Sequence, residues 1–305
     1  MKQLVFSRKD GLYAYLCDGV FVAEGGNLVF SAEKTFDCGQ CFRWEKLPDG
    51  SFVGVVKGRL LSLRENSSGF TVSDLCGALD TGFAEFLVSY FDLMTDYGSV
   101  TRELSGLDSV IEKAAEAGQG IRLLRQELFE TVISFIISAN NNIPRIKKCV
   151  ARLSEMCGGK IAAFGGKDYF AFPEPGAITG FTDEEIQVTA GVGYRAPFIR
   201  HTAELFADGS YSFLKLLDAK CDGTLKKTVL ALPGVGEKVA GCVTLFTGID
   251  RSAFPVDVWV ERMCEELYGL KGFTRPALQK RMEEYFGENG GLAQQYLFNY
   301  IRSIS

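Results

Sequence analysis

The sequence predicts an α+β protein, with an N-terminal antiparallel β-sheet domain over residues 1–105 followed by an all-helical domain over residues 106–305. Three observations carry this. Up to about residue 100, short stretches rich in Val, Phe and Tyr are broken by Gly, Asp, Asn and Ser. From Phe83 onward the apolar period lengthens, and the later turns contain Gly and Pro. At 305 residues, 47% of them hydrophobic, the chain is long enough to bury a sizeable core and to divide into subdomains.

Taken in order, GLYAYLCDGVFVA, SFVGVVKG and LLSLRENSSGFTVSD predict the strands of a small antiparallel sheet. The segment IRLLRQELFETVISFIISA, Ile121 to Ala139, carries apolar residues at helical spacing and predicts one buried central helix. It ends at NNNIP, where Asn can cap and Pro144 opens the next helix, IPRIKKCVARLSEMC. Beyond it, GGKIAAFGG, FPEPGAI, GVGYRAP, LPGVG and FPVD predict turns between helices.

A net charge of −5 and a pI near 5.2 argue against a broadly basic, nucleic-acid-binding surface. The charge is uneven, however. Residues 1–119 hold 11 basic and 17 acidic side chains, leaving 22 and 21 for residues 120–305, so any DNA-facing surface belongs to the second part. Arg145, Lys147, Lys148 and Arg152 are its densest basic cluster. No apolar run approaches the roughly 18 residues of a membrane helix, and MKQLVFSRKDG lacks the layout of a signal peptide, so no membrane partner and cytoplasmic residence are expected. Nine cysteines, an odd number without regular spacing, suit a reducing compartment. Cys38 and Cys41 form a CxxC with no second pair at zinc spacing, so no metal site is expected.

TLKKTVLALPGVGEKVAGCVTLF divides into helix, short turn and helix, with Pro233 preset for the turn and Gly234 and Gly236 able to take positive φ. The backbone N–H groups of Gly234, Val235 and Gly236 then stand beside a positive helix end and suit one phosphate of a nucleic-acid backbone. No GxxxxGK[ST] or strand-linked GxGxxG occurs. On its own, GVG fits a plain structural turn equally well. Asp257, in FPVD before an amphipathic segment, reads as a helix N-cap.

LPGVGEK, followed by CVTLF and FPVD, resembles the helix-hairpin-helix DNA glycosylase superfamily, and its 8-oxoguanine glycosylase/lyase branch in particular. The resemblance spans about Cys38 to Arg302. It implies a helix-hairpin-helix motif in the helical domain and makes Lys238 the nucleophile. A partly desolvated amine near a helix start has a lowered pKa, and its neutral fraction can attack the sugar C1′ and form a Schiff base. Asp257, nineteen residues on, would stabilise the oxocarbenium-like charge as the glycosidic bond breaks.

Four further stretches, together with Cys242 in CVTLF, resemble the same branch. CGQCFRW implies that the Gly39 carbonyl accepts the extra N7 hydrogen of 8-oxoguanine. LAQQYLF implies that Gln294 reads the Watson–Crick edge and that Phe298 stacks on the flipped base, with Cys242 on its other face. NNNIPR and GYR imply that Asn140 fills the vacated space, Tyr194 wedges the stack, and Arg145 and Arg195 contact the orphaned cytosine. The implied partner is double-stranded DNA containing 8-oxoguanine, bound by a monomer without a cofactor.

The match has departures. Eukaryotic members carry a phosphate-contacting histidine where this chain has Trp259, and Ile301 stands where its acidic partner would be, so an apolar substitute for that hydrogen bond is expected. The lone histidine, His201, lies outside every motif. No cysteine follows Cys264, which excludes the C-terminal iron–sulfur loop of the related endonuclease III branch. Two alternatives stay open at this point: a glycosylase for another damaged purine, which would dispense with the lysine, and a catalytically inactive damage-binding DNA protein.

Overall fold

The structure, a computed structural model, describes residues 2–304. Seven strands form one antiparallel sheet: β1 (Lys2–Ser7), β2 (Leu12–Cys17), β3 (Val20–Gly25), β4 (Trp44–Lys46), β5 (Phe52–Val56), β6 (Arg59–Asn66) and β7 (Gly69–Asp74). Their order is β1-β2-β3-β7-β6-β5-β4. The two-residue period is visible in burial: Leu12 and Ala14, Phe21 and Ala23, and Phe70 and Val72 all point into one core. Helix α1 (Ala32–Asp37) joins β3 to β4, and α2 (Thr81–Tyr90) supplies Phe83 and Leu87 to the same core. Trp44 fixes the sheet edge. Its ring stacks on Phe36 with centroids 4.3 Å apart, its Nε1 donates to Tyr90 OH at 2.9 Å, and a Cβ on its partner Gly54 would lie 2.4 Å from the indole.

The rest is mainly helical: α3 (Tyr97–Ser105), α4 (Ser109–Ala117), α5 (Leu128–Ser138), α6 (Ile143–Cys157), α7 (Pro175–Thr179), α8 (Asp183–Thr189), α9 (Ala196–Ala207), α10 (Phe213–Cys221), α11 (Leu225–Leu230), α12 (Glu237–Phe246), α13 (Val258–Tyr268), α14 (Arg275–Phe286) and α15 (Gly290–Ile304). Helix α5 is the hub, buried at every position from Thr131 to Ser138 and packed on α6, α9 and α12. The C-terminal α15 packs against α4 and α13. Cys38 and Phe42, although they precede β4, belong to this helical core, so the loop between them sits where the two cores meet.

The expected fold class holds, with two local corrections. The central helix begins at Leu128, not Ile121. Residues 122–126 instead give five consecutive backbone N–H groups to remote acceptors: Thr35 Oγ1, Tyr97 OH, Gln40 Oε1, Tyr90 O and Phe246 O. These bonds stitch the two cores together and outweigh a helical propensity that could satisfy the donors only locally. GGKIAAFGG, expected as a turn in an all-helical domain, opens a hairpin of β8 (Lys160–Phe164) and β9 (Lys167–Phe170). Gly165 and Gly166 both take positive φ, at +59° and +78°, as a tight two-residue hairpin loop requires. The hairpin places Tyr169 against Val53, Val55 and Leu60 on the outer face of the sheet.

Candidate active site

The first wall of the site is the loop after α1. Gly39 takes φ +82°, a conformation that side chains rarely adopt, and a Cβ there would meet Ile143 Cδ1 at 3.7 Å and Phe298 Cε1 at 4.0 Å. Gln40, fully buried, holds this glycine in place. Its Nε2 donates to Thr35 O at 2.9 Å and Arg122 O at 2.8 Å, and its Oε1 accepts from Leu124 N at 2.8 Å. Gln126 Nε2 donates to Gln40 O at 2.6 Å. Arg43 closes the loop by pairing with Glu130 of α5 at 3.3 Å and donating to Phe170 O.

The second wall is the hairpin between α11 and α12. Gly234 takes φ +74°, and a Cβ there would strike the Phe198 ring at 2.8 Å, so glycine is required by both backbone and neighbour. Gly236 departs from expectation. Its φ of −98° is ordinary extended backbone, and its role is N-cap of α12 without a side-chain cap bond. Val235 also differs, because its N–H is already given to Leu232 O at 3.1 Å. Gly234 and Gly236 keep N–H groups with no partner among the described residues, beside the positive end of α12.

Lys238 stands in the first turn of α12, half-buried. Its Nζ donates to Ser138 Oγ at 3.2 Å and lies 5.2 Å from the centroid of Phe135. One turn further along, Cys242 is buried, and desolvation pushes its thiol up to about 11, with Lys238 working against that shift and Asp257 adding to it. Asp257 is the N-cap of α13, accepting from Trp259 N at 2.9 Å and Val260 N at 3.0 Å. Both bonds end on Oδ1, so the cap does not engage Oδ2.

The third wall is α15. Gln294 and Phe298, one turn apart, face the same cavity, with Gln294 6% exposed. That cavity is lined by Gly39, Lys238, Cys242, Asp257, Gln294 and Phe298 together, and Cys38, Phe135, Phe246, Pro255 and Gln295 complete it. Six residues predicted from four distant segments therefore share one lining. Among the described residues, no group of three or more His, Cys, Asp or Glu side chains gathers to hold a metal ion, and no helix is long and apolar enough to cross a membrane.

The remaining predicted residues lie at two turns. Asn140, two residues beyond Ser138, is exposed at φ +50°, and Arg145 is exposed near the start of α6. Tyr194 projects from a single 3-10 turn, Gly193–Arg195, and is 59% exposed. Arg195 differs from the expected free donor. It is 4% exposed and gives its guanidinium to Ala139 O, Asn140 O and Val192 O, so it ties the Tyr194 turn to the Asn140 turn. Any contact to cytosine competes with these bonds. Trp259 is 51% exposed with the Arg262 guanidinium 5.4 Å from its ring, whereas Ile301 is buried; His201 is exposed on α9.

Sequence reasoning missed Ser138, Phe135 and Gln40 as parts of the site. Ser138 and Phe135 read only as members of a buried helix, and two of the partners of Gln40, Arg122 O and Leu124 N, lie more than 80 positions away.

Residues 26–132 match the 8-oxoguanine DNA glycosylase N-terminal domain family, and residues 133–288 match the HhH-GPD superfamily of base excision DNA repair proteins. The fold and the site thus define a base-excision repair enzyme. The chain belongs to the HhH-GPD superfamily and, within it, to the family of N-glycosylase/DNA lyases. It is 32% identical over 279 residues to N-glycosylase/DNA lyase OGG1 of Arabidopsis thaliana, a match covering 87% of this chain and 75% of that one. The solved 8-oxoguanine glycosylase/lyase of Clostridium acetobutylicum, in complex with double-stranded DNA containing cytosine opposite 8-oxoG, is 34% identical with a TM-score of 0.83, covering 100% of this chain and 98% of that chain. A solved complex of MBOgg1 with a low-affinity DNA ligand is 35% identical with a TM-score of 0.89, covering 96% and 99%.

Proposed function

We propose that this enzyme extrudes 8-oxoguanine from double-stranded DNA, excises it with Lys238 as nucleophile and then nicks the strand. The observation that carries this reading is the shared cavity of Gly39, Lys238, Cys242, Asp257, Gln294 and Phe298. Lys238 Nζ attacks C1′ through its lone pair, the C1′–N9 bond breaks, and its electron pair leaves with the base, which takes up a proton. Asp257, fixed by two backbone donors, offsets the positive charge that develops on the sugar. The attached nitrogen loses a proton, and its lone pair then forms the Schiff base as the C1′–O4′ bond breaks and O4′ takes up a proton. Loss of a C2′ proton then breaks the C3′–O bond, which is the β-elimination that nicks the strand.

For recognition, the Gly39 carbonyl accepts the N7 hydrogen that guanine lacks, a distinction of about 1–3 kcal/mol for one buried group left unpaired. Gln294 reads the Watson–Crick edge. Phe298 and Cys242 cover the two faces of the base, and because its thiol titrates only near 11, Cys242 presents a neutral surface at physiological pH. Gly234 and Gly236, with the uncapped start of α12, hold a phosphate. Asn140 and Tyr194 fill the space left in the duplex, and Arg145, with Arg195 if it exchanges its carbonyl partners, contacts the opposing cytosine. The enzyme acts as a monomer, and nine cysteines, all free, suit the reducing cytoplasm, where DNA is its partner.

The test is covalent trapping. An 8-oxoguanine:cytosine duplex incubated with the enzyme and borohydride should yield an adduct that is lost in Lys238→Gln, and absence of an adduct from the unaltered enzyme overturns the reading.

A further inference from the structure

Gln295 lines the base cavity, yet no step of the proposed excision uses it. It is 3% exposed. Its Nε2 donates to Gln294 Oε1 at 2.6 Å, and its own Oε1 is buried without a hydrogen-bond partner among the described residues. An orphaned acceptor in a packed interior is a cost that an apolar residue would avoid, and such atoms call for a donor supplied from elsewhere. Here the adjoining space is the slot for the flipped base.

We propose that Gln295 determines specificity by accepting a hydrogen bond from the exocyclic 2-amino group of the extruded base, an inference that rests on the 8-oxoguanine reading. The Watson–Crick edge of 8-oxoguanine offers one acceptor, O6, followed by two donors, N1–H and the 2-amino group. Gln294 alone brings one donor and one carbonyl oxygen, and one lone pair of that oxygen already receives Gln295 Nε2. A second acceptor is therefore needed. The bond between the two amides fixes their relative order, so the pair presents donor, acceptor, acceptor, the complement of the base edge. A base lacking the 2-amino group leaves Gln295 Oε1 unpaired, as it is in the free protein, and gains nothing from it.

Single-turnover excision from duplexes carrying 8-oxoguanine or 8-oxohypoxanthine opposite cytosine tests this, because the two bases differ only in the 2-amino group. The enzyme should favour 8-oxoguanine about tenfold, the scale expected for one buried hydrogen bond. In Gln295→Met, which keeps length without an acceptor, and in Gln295→Ala, that ratio should fall towards one, chiefly through slower excision of 8-oxoguanine. The melting temperature of Gln295→Met should change little, since relief of the orphaned Oε1 offsets loss of the Nε2 bond to Gln294 Oε1. A ratio unchanged in both variants overturns the proposal, as does an unaltered enzyme that excises both bases equally. An unaltered enzyme that excises neither base overturns the 8-oxoguanine reading itself and this inference with it.

Discussion

Lys238 Nζ donates to Ser138 Oγ at 3.2 Å, and the same hydroxyl donates its proton to Phe135 O at 2.8 Å. The amine of α12 is thus pinned to the last residue of α5, two positions before Asn140. The proposed nucleophile and the residue proposed to occupy opened DNA are carried by the same helix end. A displacement of the α5 terminus moves both.

Ser138→Ala tests this coupling. The variant loses one hydrogen bond inside the helix end and should be destabilised by about 1 kcal/mol. Without its acceptor the amine samples other rotamers, so the borohydride-trapping rate should fall about tenfold with little change in KM. An unchanged trapping rate in a stably folded Ser138→Ala would show that the contact does not position Lys238.

Gly39→Ala separates folding from recognition. At φ +82° an alanine is strained by about 1 kcal/mol, while the new Cβ meets Ile143 and Phe298 at 3.7 and 4.0 Å, ordinary contact distances that the fold accommodates. The methyl nevertheless lies on the side of the loop that faces Phe298, where the base must enter. Urea unfolding should show the small loss, and kcat/KM on 8-oxoguanine should drop roughly 100-fold, far more than that loss explains. Parallel, equally small declines would count against Gly39 as a wall of the base site.

Gln40→Leu removes the clamp behind Gly39. It strands Leu124 N and the Arg122 carbonyl and leaves the Thr35 carbonyl with only the Cys38 thiol, all buried, so a loss of about 3 kcal/mol is expected in urea denaturation. The remaining folded enzyme should excise 8-oxoguanine slowly. A variant as stable as the original would show that these bonds are dispensable.

How much of this was legible in the sequence depends on where each residue finds its partners. Strands β2, β3, β5, β6 and β7 and the start of α6 were readable because alternation and Pro144 in the first turn of a helix are local signals, whereas β1 and β4 were not read as strands. Ile121 to Gln126 misled because the helical pattern is real while every donor is claimed from outside the segment. GGKIAAFGG misled because a glycine pair serves a hairpin and a helix boundary alike, and only the joint positive φ of Gly165 and Gly166 decides it. The six cavity residues named from the sequence came through family resemblance, motif by motif, while Phe135 and Gln295 carried no such signal. Spacing alone placed Gln294 with Phe298 and Lys238 with Cys242, but not one pair with the other. Arg195 looked like a free cation because nothing in GYR announces that its guanidinium is spent on the carbonyls of Ala139, Asn140 and Val192.

Buried thiols set an alkaline limit on stability. Burial raises Cys242 to about 11, and Cys38 and Cys264 to about 12, against an ordinary value near 9. In the unfolded chain these thiols ionise first, so their contribution is intact below pH 9 and is lost as pH climbs through the folded values, by on the order of 2–3 kcal/mol for Cys242 alone. Urea midpoints should therefore be flat from pH 7 to 8.5 and decline between 9 and 11. Cys242→Ala should lessen that decline. A midpoint that is level through pH 11 would contradict the buried, protonated thiol.

The two arginines proposed to face cytosine are predicted to behave differently, and burial is the reason. Arg145 is exposed, and its side chain makes no hydrogen bond or ion pair among the described residues. Arg145→Ala should leave the melting temperature unchanged and reduce the ratio of excision opposite cytosine to excision opposite adenine, since a donor to the cytosine edge is lost without disturbing the fold. Arg195 holds the Asn140 and Tyr194 turns through three carbonyls in a nearly solvent-free position. Its loss leaves those oxygens short of charged donors, so Arg195→Ala should cost about 2–4 kcal/mol and weaken binding to DNA whatever the opposing base. Excision rates against all four opposing bases, measured beside urea unfolding for each variant, distinguish the roles. If Arg195→Ala changes base preference at full stability, the carbonyl bonds are not its principal function, and the residue reads cytosine after releasing them.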